Sequence, residues 1–246
     1  GIGTQKRNQT YFNTLLKNLK SSSMDDKYKN YLVVAFDFTG CMSSGGKGVH
    51  GMPIVDHDNR SIINYVIRHP TLKNYPIYTM GHSWGGHTAM TSLLHDDEHI
   101  KKAVAFNPYN SHVDCTYSIK PTLKIFTPFI YLYFLLRFGH TSTYKVVDAI
   151  KYTSNPKMII CGGVDQIVKS KHAYQKFLKV QDENVNLRYL KDVTHFSYLS
   201  DEAGQYFTEH ISFPRKDPID FKSLECEKIN HLNIPLLEEI VKFLKQ

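Results

Sequence analysis

The stretch Gly81-His82-Ser83-Trp84-Gly85-Gly86 directly follows the β-rich run Tyr75-Pro-Ile-Tyr-Thr-Met80, and an apolar, helix-like run comes after it. A Gly-x-Ser-x-Gly pattern between a strand and a helix predicts a tight turn that exposes a serine hydroxyl beside a base and backbone N–H groups. The glycines at 81 and 85 are predicted to leave room for the strained backbone of such a turn. Ser83 is therefore a candidate nucleophile.

Short apolar runs alternate with helix-like segments on both sides of this turn. Strands buried on both faces that alternate with helices indicate an α/β fold, a three-layer sandwich around a mostly parallel sheet. No linker rich in Pro, Gly or Ser divides the 246 residues, so we predict one domain over residues 1–246. The predicted strands are Tyr31–Phe36, Tyr75–Met80, Val104–Phe106, Met158–Cys161 and Val185–Leu190, and the predicted helices are Gln9–Leu19, Asn59–Arg68, Thr88–Leu94, Lys169–Val180 and Pro235–Leu244, the last capped by Asn233.

Composition excludes several classes of protein. The formal charge of +7 comes from 30 basic and 23 acidic residues that are interspersed, so we expect no nucleic-acid partner. There is no apolar run of ~18 residues and no signal peptide at the start of the sequence, so we expect no membrane span; the compartment stays open, with the cytoplasm favoured. Four cysteines far apart in sequence are predicted to be free thiols; they are Cys41, Cys115, Cys161 and Cys226.

Two further features follow buried strands later in the chain. Asp165 comes just after the run ending at Cys161, and His195 lies in the loop after the run ending at Leu190. The carboxyl ends of parallel strands share one edge of a sheet, where chemistry collects. In the order Ser83, Asp165, His195, the histidine takes the serine proton while the carboxylate fixes the histidine tautomer.

These residues in this order resemble the α/β-hydrolase superfamily over the whole length of the chain. The resemblance implies a Ser83-His195-Asp165 triad and an oxyanion hole made by the backbone N–H groups of Trp84 and Ile2. The segment Gly1-Ile-Gly-Thr4 looks like the tail of the family's His-Gly motif, while the histidine and the strands before it are missing. We therefore expect an upstream or separate segment to supply the early strands.

Each candidate also has a plainer interpretation. Ser83 and Asp165 are residue types that cap the helices following them. The histidines flanking the serine, His82 and His87, are expected to pack or to line the pocket, and His82 is assigned to substrate binding. The chain lacks His-Glu-x-x-His and any Cys/His cluster with ligand spacing, so we expect no metal and no cofactor.

About 50 residues, 107–156, separate two predicted strands, and in the family a cap over the active site is inserted here. Its core, Ile125–Phe138, is apolar almost all round and is too short to span a bilayer. Either this helix packs down as a lid with its apolar faces buried, or it exposes part of that surface to lipid or to an acyl chain. We predict that Phe129, Tyr133 and Phe134 contact the substrate.

An aromatic pocket beside a serine nucleophile favours cleavage of a carboxylic ester with a hydrophobic acyl or aryl group, through an acyl-enzyme. A thioesterase, an amidase or peptidase, and a catalytically silent binding protein on the same scaffold remain alternatives, because one fold hosts many chemistries. The sequence leaves the physiological substrate and the oligomeric state open.

Overall fold

The computed structural model describes residues 32–41, 43–48, 51–211 and 225–246. In these described residues the sheet has four parallel strands in the order β1-β2-β3-β4. Because consecutive strands are neighbours and all run in one direction, the loops that follow them emerge at one edge. The strands are β1 (Ile77–His82), β2 (Ile100–Phe106), β3 (Lys157–Gly162) and β4 (Val185–Leu190).

Helices cover both faces of this sheet. The longer ones are α1 (Ile54–Arg68), α2 (Trp84–Thr91), α3 (His112–Ile119), α4 (Thr127–Phe138), α5 (Val146–Tyr152), α7 (Asp201–Ile211) and α9 (Ile234–Lys245), and the short ones are α6 (Tyr174–Phe177) and α8 (Cys226–Ile229). Within the described part of the chain, five 3-10 turns connect them: Leu72–Asn74, Ser92–Leu94, Pro121–Phe126, His140–Thr143 and Ser170–His172. No helix in the described part of the chain is both long and apolar enough to cross a membrane.

Alternate residues of the central strands face two different cores. Ala103 and Ala105 of β2 pack with side chains of α1, α2, α5 and α6. Val104 and Phe106, which point the other way, pack on α9. Side chains of a strand alternate between the faces of a sheet, so both faces of β2 are buried. The predicted three-layer α/β sandwich is confirmed.

Several element boundaries follow from local chemistry. The Asn233 side chain accepts a hydrogen bond from the backbone N–H of Leu236 at 3.2 Å and caps α9, as predicted. Helix α1 ends at Arg68, before Pro70, as predicted, but it begins at Ile54 rather than Asn59. Cys41, Cys115 and Cys161 are free, as predicted.

Two predicted elements are wrong. The described part of the predicted strand Tyr31–Phe36 has no ladder pairing, and its side chains Leu32 and Val34 are 63% and 44% exposed. The predicted helix Lys169–Val180 is broken because the carbonyl of His172 accepts from the backbone N–H of Asn110 rather than from its own helix. The predicted helix Gln9–Leu19 lies outside the described residues.

Candidate active site

Ser83 sits on a strained turn between β1 and α2. Its backbone φ is 54° and its ψ is −110°, a region that non-glycine residues enter at a cost of about 1–3 kcal/mol. Two backbone hydrogen bonds hold this conformation: Ser83 N–H donates to the carbonyl of Phe106 at 2.7 Å, and His87 N–H donates to the carbonyl of Ser83 at 2.9 Å. The serine is thus fixed where β1, β2 and α2 meet.

The glycines around Ser83 differ in how closely their surroundings approach. A Cβ at Gly81 would lie 2.2 Å from the carbonyl oxygen of Gly85, far inside van der Waals contact. A Cβ at Gly85 would meet nothing within 4 Å, so the prediction that this glycine leaves room for the turn is wrong. The close approach of the end of β1 to the first turn of α2 requires glycine at 81.

Asp165 and His195 form a buried pair at the carboxyl edge of the sheet. His195 Nδ1 lies 2.7 Å from Asp165 Oδ2, and both side chains are at most 4% exposed. The other carboxylate oxygen accepts the backbone N–H groups of Ile167 and Val168, each at 2.8 Å. Asp165 therefore caps the turn that follows it and also pairs with His195. Capping and pairing, the two interpretations of this residue, are thus compatible. Because a carboxylate accepts hydrogen bonds, Nδ1 of His195 carries the proton and Nε2 keeps its lone pair.

Asn107 is a member of this site that the sequence reasoning did not identify. It follows β2 with a φ of 47°, a left-handed conformation that asparagine tolerates. Its Nδ2 donates to Asp165 Oδ2 at 3.0 Å, and its Oδ1 accepts from the hydroxyl of Ser197. The only signal in the sequence is an asparagine directly after a buried strand, which many turns share.

His82 links the serine turn to the His195 loop. Its Nε2 lies 2.8 Å from the carbonyl oxygen of His195, and the two ring centroids are 4.7 Å apart. The rings of Phe196 and Tyr198 also contact it. Burial, followed by the positive charge of a protonated His195, lowers the pKa of His82 well below its usual range. A neutral His82 donates a hydrogen bond to this carbonyl. The bond holds the His195 loop beside the end of β1, one residue before Ser83.

Comparisons with known proteins support the fold. A family model described as serine aminopeptidase, S33, matches residues 27–135. The fold is similar to that of a Pyrococcus furiosus esterase, with a TM-score of 0.59 and 20% identity over 100% of this chain and 79% of that one. It is also similar to a Paleococcus ferrophilus monoacylglycerol lipase, with a TM-score of 0.53 and 17% identity over 85% and 88% of the two chains. No curated protein sequence matches significantly.

The chain therefore has the α/β-hydrolase fold. Trp84 is the first residue of α2, and N–H groups of a first helical turn have no intrahelical acceptor. The Trp84 side chain is held by a hydrogen bond of 2.8 Å from Nε1 to the carbonyl of Met52. The other predicted oxyanion donor, Ile2, lies outside the described residues.

The predicted substrate contacts on α4 lie in different environments. Phe129 is 71% exposed and Tyr133 is 51% exposed, whereas Phe134 is buried and packs on the ring of His112, 6.2 Å away. Most of the apolar surface of α4 is therefore exposed to solvent. This favours a helix that presents apolar surface to lipid or an acyl chain over a lid with its apolar faces buried. That α4 closes over Ser83 stays a prediction.

A cavity of about 450 Å³ lies beside α3 rather than beside Ser83, Asp165 and His195. Asp114, Tyr131 and Lys176 are among the residues that line it, and its polar walls include an ion pair of 2.7 Å between Lys176 and Asp114. Its lining does not include Ser83, Asp165 or His195. We assign no substrate to it.

Proposed function

We propose that this α/β-hydrolase cleaves a carboxylic ester with a hydrophobic acyl or aryl group through a Ser83-His195-Asp165 triad. The observation that carries the proposal is the buried hydrogen bond of 2.7 Å between Asp165 and His195, held by His82 beside the strained turn of Ser83. A histidine with its tautomer fixed by a carboxylate, beside a half-buried serine on a strained turn, is the arrangement that activates a hydroxyl for attack.

In the proposed reaction, Nε2 of His195 takes the proton of the Ser83 hydroxyl as Oγ attacks the ester carbonyl. The backbone N–H of Trp84 donates to the oxyanion that forms. The tetrahedral intermediate collapses, His195 gives the proton to the departing alkoxide, and an alcohol leaves an acyl-enzyme. Water then loses a proton to His195 and attacks the acyl-enzyme, which releases the acid and restores Ser83.

Two observations favour hydrophobic esters over other acyl substrates. Seven large apolar side chains between residues 125 and 136 are 44 to 78% exposed, which supplies an apolar surface in the segment that the sequence predicts to cover the site. Two of the proteins with similar folds are named an esterase and a monoacylglycerol lipase. The family model's description, a serine aminopeptidase, keeps an amidase or peptidase as the second candidate, beside a thioesterase.

A fluorophosphonate probe tests the nucleophile. Ser83→Ala is expected to abolish labelling and ester turnover while the far-UV circular dichroism stays unchanged. Ser61→Ala is the matched control, because Ser61 is an exposed serine of α1 whose hydroxyl donates to the carbonyl of His57 at 2.8 Å. Labelling at another serine in the Ser83→Ala protein would refute the triad.

A substrate panel tests the reaction class. Nitrophenyl esters of increasing acyl length are assayed beside an acyl thioester series and aminoacyl amides. The proposal predicts the highest kcat/KM for esters, rising with acyl length. Faster cleavage of the amides would favour a peptidase, and tight hydrophobic-ligand binding without turnover of any series would favour a silent scaffold.

A further inference from the structure

Three helices bring together a buried cluster of metal-ligand side chains that the triad does not use. Asp56 of α1, His87 of α2 and His112 of α3 are each at most 3% exposed. One ligand atom from each residue lies within 4.8 Å of those of the other two. The cluster sits one helical turn after Ser83, since the backbone N–H of His87 donates to the carbonyl of Ser83.

Two atoms of this cluster face each other without a hydrogen-bond partner among the described residues. They are Nε2 of His87 and Oδ1 of Asp56, 3.9 Å apart, which is too long for a hydrogen bond between them. Nδ1 of His87 lies 3.2 Å from the carbonyl oxygen of Tyr109, so Nδ1 carries the proton and Nε2 presents a lone pair. A lone pair therefore faces a carboxylate oxygen in the buried interior, where unsatisfied polar atoms are costly.

In both histidines, the Nδ1 atom, which points away from the cluster, has a hydrogen-bond partner on Tyr109. Nδ1 of His112 lies 3.1 Å from the Tyr109 hydroxyl. Nε2 of His112 faces the cluster and lies 2.6 Å from Oδ2 of Asp56. Tyr109 thus serves His87 through its carbonyl and His112 through its hydroxyl. Metal-ligating histidines almost always have such a partner on the nitrogen that does not bind the metal.

We propose that Asp56, His87 and His112 bind a divalent transition-metal ion through one carboxylate and two imidazoles. Two imidazoles and one carboxylate form a donor set that binds Zn²⁺ in proteins, with a water as the remaining ligand. On binding, the proton on Nε2 of His112 moves to Nδ1 and the Tyr109 hydroxyl turns from donor to acceptor, so the protein's proton count is unchanged. The ion fastens α1 and α3 to the helix that carries the Ser83 turn, a structural role separate from the triad.

Metal content and thermal stability of the untagged full chain test the site. After chelator treatment and dialysis against ZnCl2, we expect one zinc ion per chain by mass spectrometry and a raised Tm that the chelator reverses. Asp56→Asn and His87→Gln should each weaken zinc binding about 100-fold or more, since even loss of an outer partner costs 10- to 100-fold. His99→Gln is the matched control, because His99 forms an exposed ion pair of 2.7 Å with Asp96.

A spectroscopic readout keeps the test decisive if the variants fail to fold. Co²⁺ added to the wild-type chain should give intense visible absorption bands of a four-coordinate site, and Zn²⁺ should displace them. A folded wild-type chain that takes up neither ion overturns the proposal and leaves a bridging water as the occupant. Zinc uptake retained in both ligand variants overturns it as well.

Discussion

Asn107 holds the carboxylate that pairs with His195, and its contribution to the proposed reaction can be measured. Asn107→Ala removes the hydrogen bond of 3.0 Å to Asp165 and the acceptor of the Ser197 hydroxyl. A hydrogen bond to a charged group is worth about 1.5–3 kcal/mol, so we expect kcat on a nitrophenyl ester to fall about 10- to 100-fold with KM nearly unchanged. Asn107 acts through Asp165, so it is a positioning residue.

A second variant separates the side chain of Asn107 from its backbone. Asn107→Gly also lacks the amide but accepts the φ of 47° without strain, so it should lose the same share of kcat while keeping more stability than the alanine variant. Full kcat in Asn107→Gly would assign the effect to backbone strain alone.

Gly81 and Gly85 offer a matched pair of substitutions next to Ser83. Gly81→Ala places a Cβ 2.2 Å from the carbonyl oxygen of Gly85, so β1 and α2 must move apart. We expect a loss of several kcal/mol of unfolding free energy or an insoluble protein. Gly85→Ala, in open space within α2, should be at least as stable as the wild type, since alanine favours helix by about 1 kcal/mol. Urea unfolding followed by circular dichroism distinguishes the two, and equal midpoints would contradict the close approach of β1 to α2 at Gly81.

Residues of this site differ in how well the sequence predicts them. Ser83, Asp165 and His195 each carry a local signal, because each follows a buried strand and the order of the three is informative. Asn107 has no comparable signal, since its role depends on a contact with a residue 58 positions away. The ligands proposed for zinc escape a motif search for the same reason: positions 56, 87 and 112 come from three helices that only the fold brings together.

At the scale of elements, the strands are predicted best and the short helices worst. The predicted strand Val185–Leu190 has the observed bounds, and β1, β2 and β3 are displaced or extended by a few residues. Burial of β2 and β3 produces apolar runs that are visible in sequence, whereas β4 alternates apolar and polar residues because it is less buried. The predicted helix Lys169–Val180 fails because a tertiary hydrogen bond to Asn110 outweighs helix propensity over a few residues.

Helix α4 exposes an apolar surface that we predict contacts lipid. Leu136 is 78% exposed on this helix, and an exposed apolar face binds interfaces in proportion to its apolar area. Leu136→Glu should lower partitioning of the protein into zwitterionic phospholipid vesicles several-fold in a sedimentation assay. Tyr152→Glu, the same charge change at a 73% exposed residue of α5, is the control and should leave partitioning unchanged. Equal partitioning of the Leu136→Glu and wild-type proteins would contradict a lipid-facing α4.

At the scale of the whole molecule, the buried Lys157 in the central sheet makes the stability of the fold depend on pH. Lys157 begins β3, its side chain is fully buried, and Nζ donates to the carbonyls of Thr153 at 2.7 Å and Asn155 at 2.6 Å. Burial lowers the pKa of Lys157 from 10.5 to about 8. Two carbonyls compensate only in part for the water that the ammonium group loses.

The sign of the resulting pH dependence follows from proton counts. Between pH 8 and 10.5 the unfolded chain keeps the Lys157 proton while the folded chain loses it, so the free energy of unfolding rises with pH over this window, by up to about 3 kcal/mol. Lys157→Met removes this rise. The free energy of unfolding of the variant, relative to that of the wild type, should therefore fall from pH 7 to pH 10.5 in urea titrations. Lys101→Met is the control, because exposed Lys101 donates to the carbonyl of Glu98 at 2.6 Å and should give the wild-type slope. Parallel pH profiles for the wild type and Lys157→Met would show that Lys157 stays charged in the folded protein across this window.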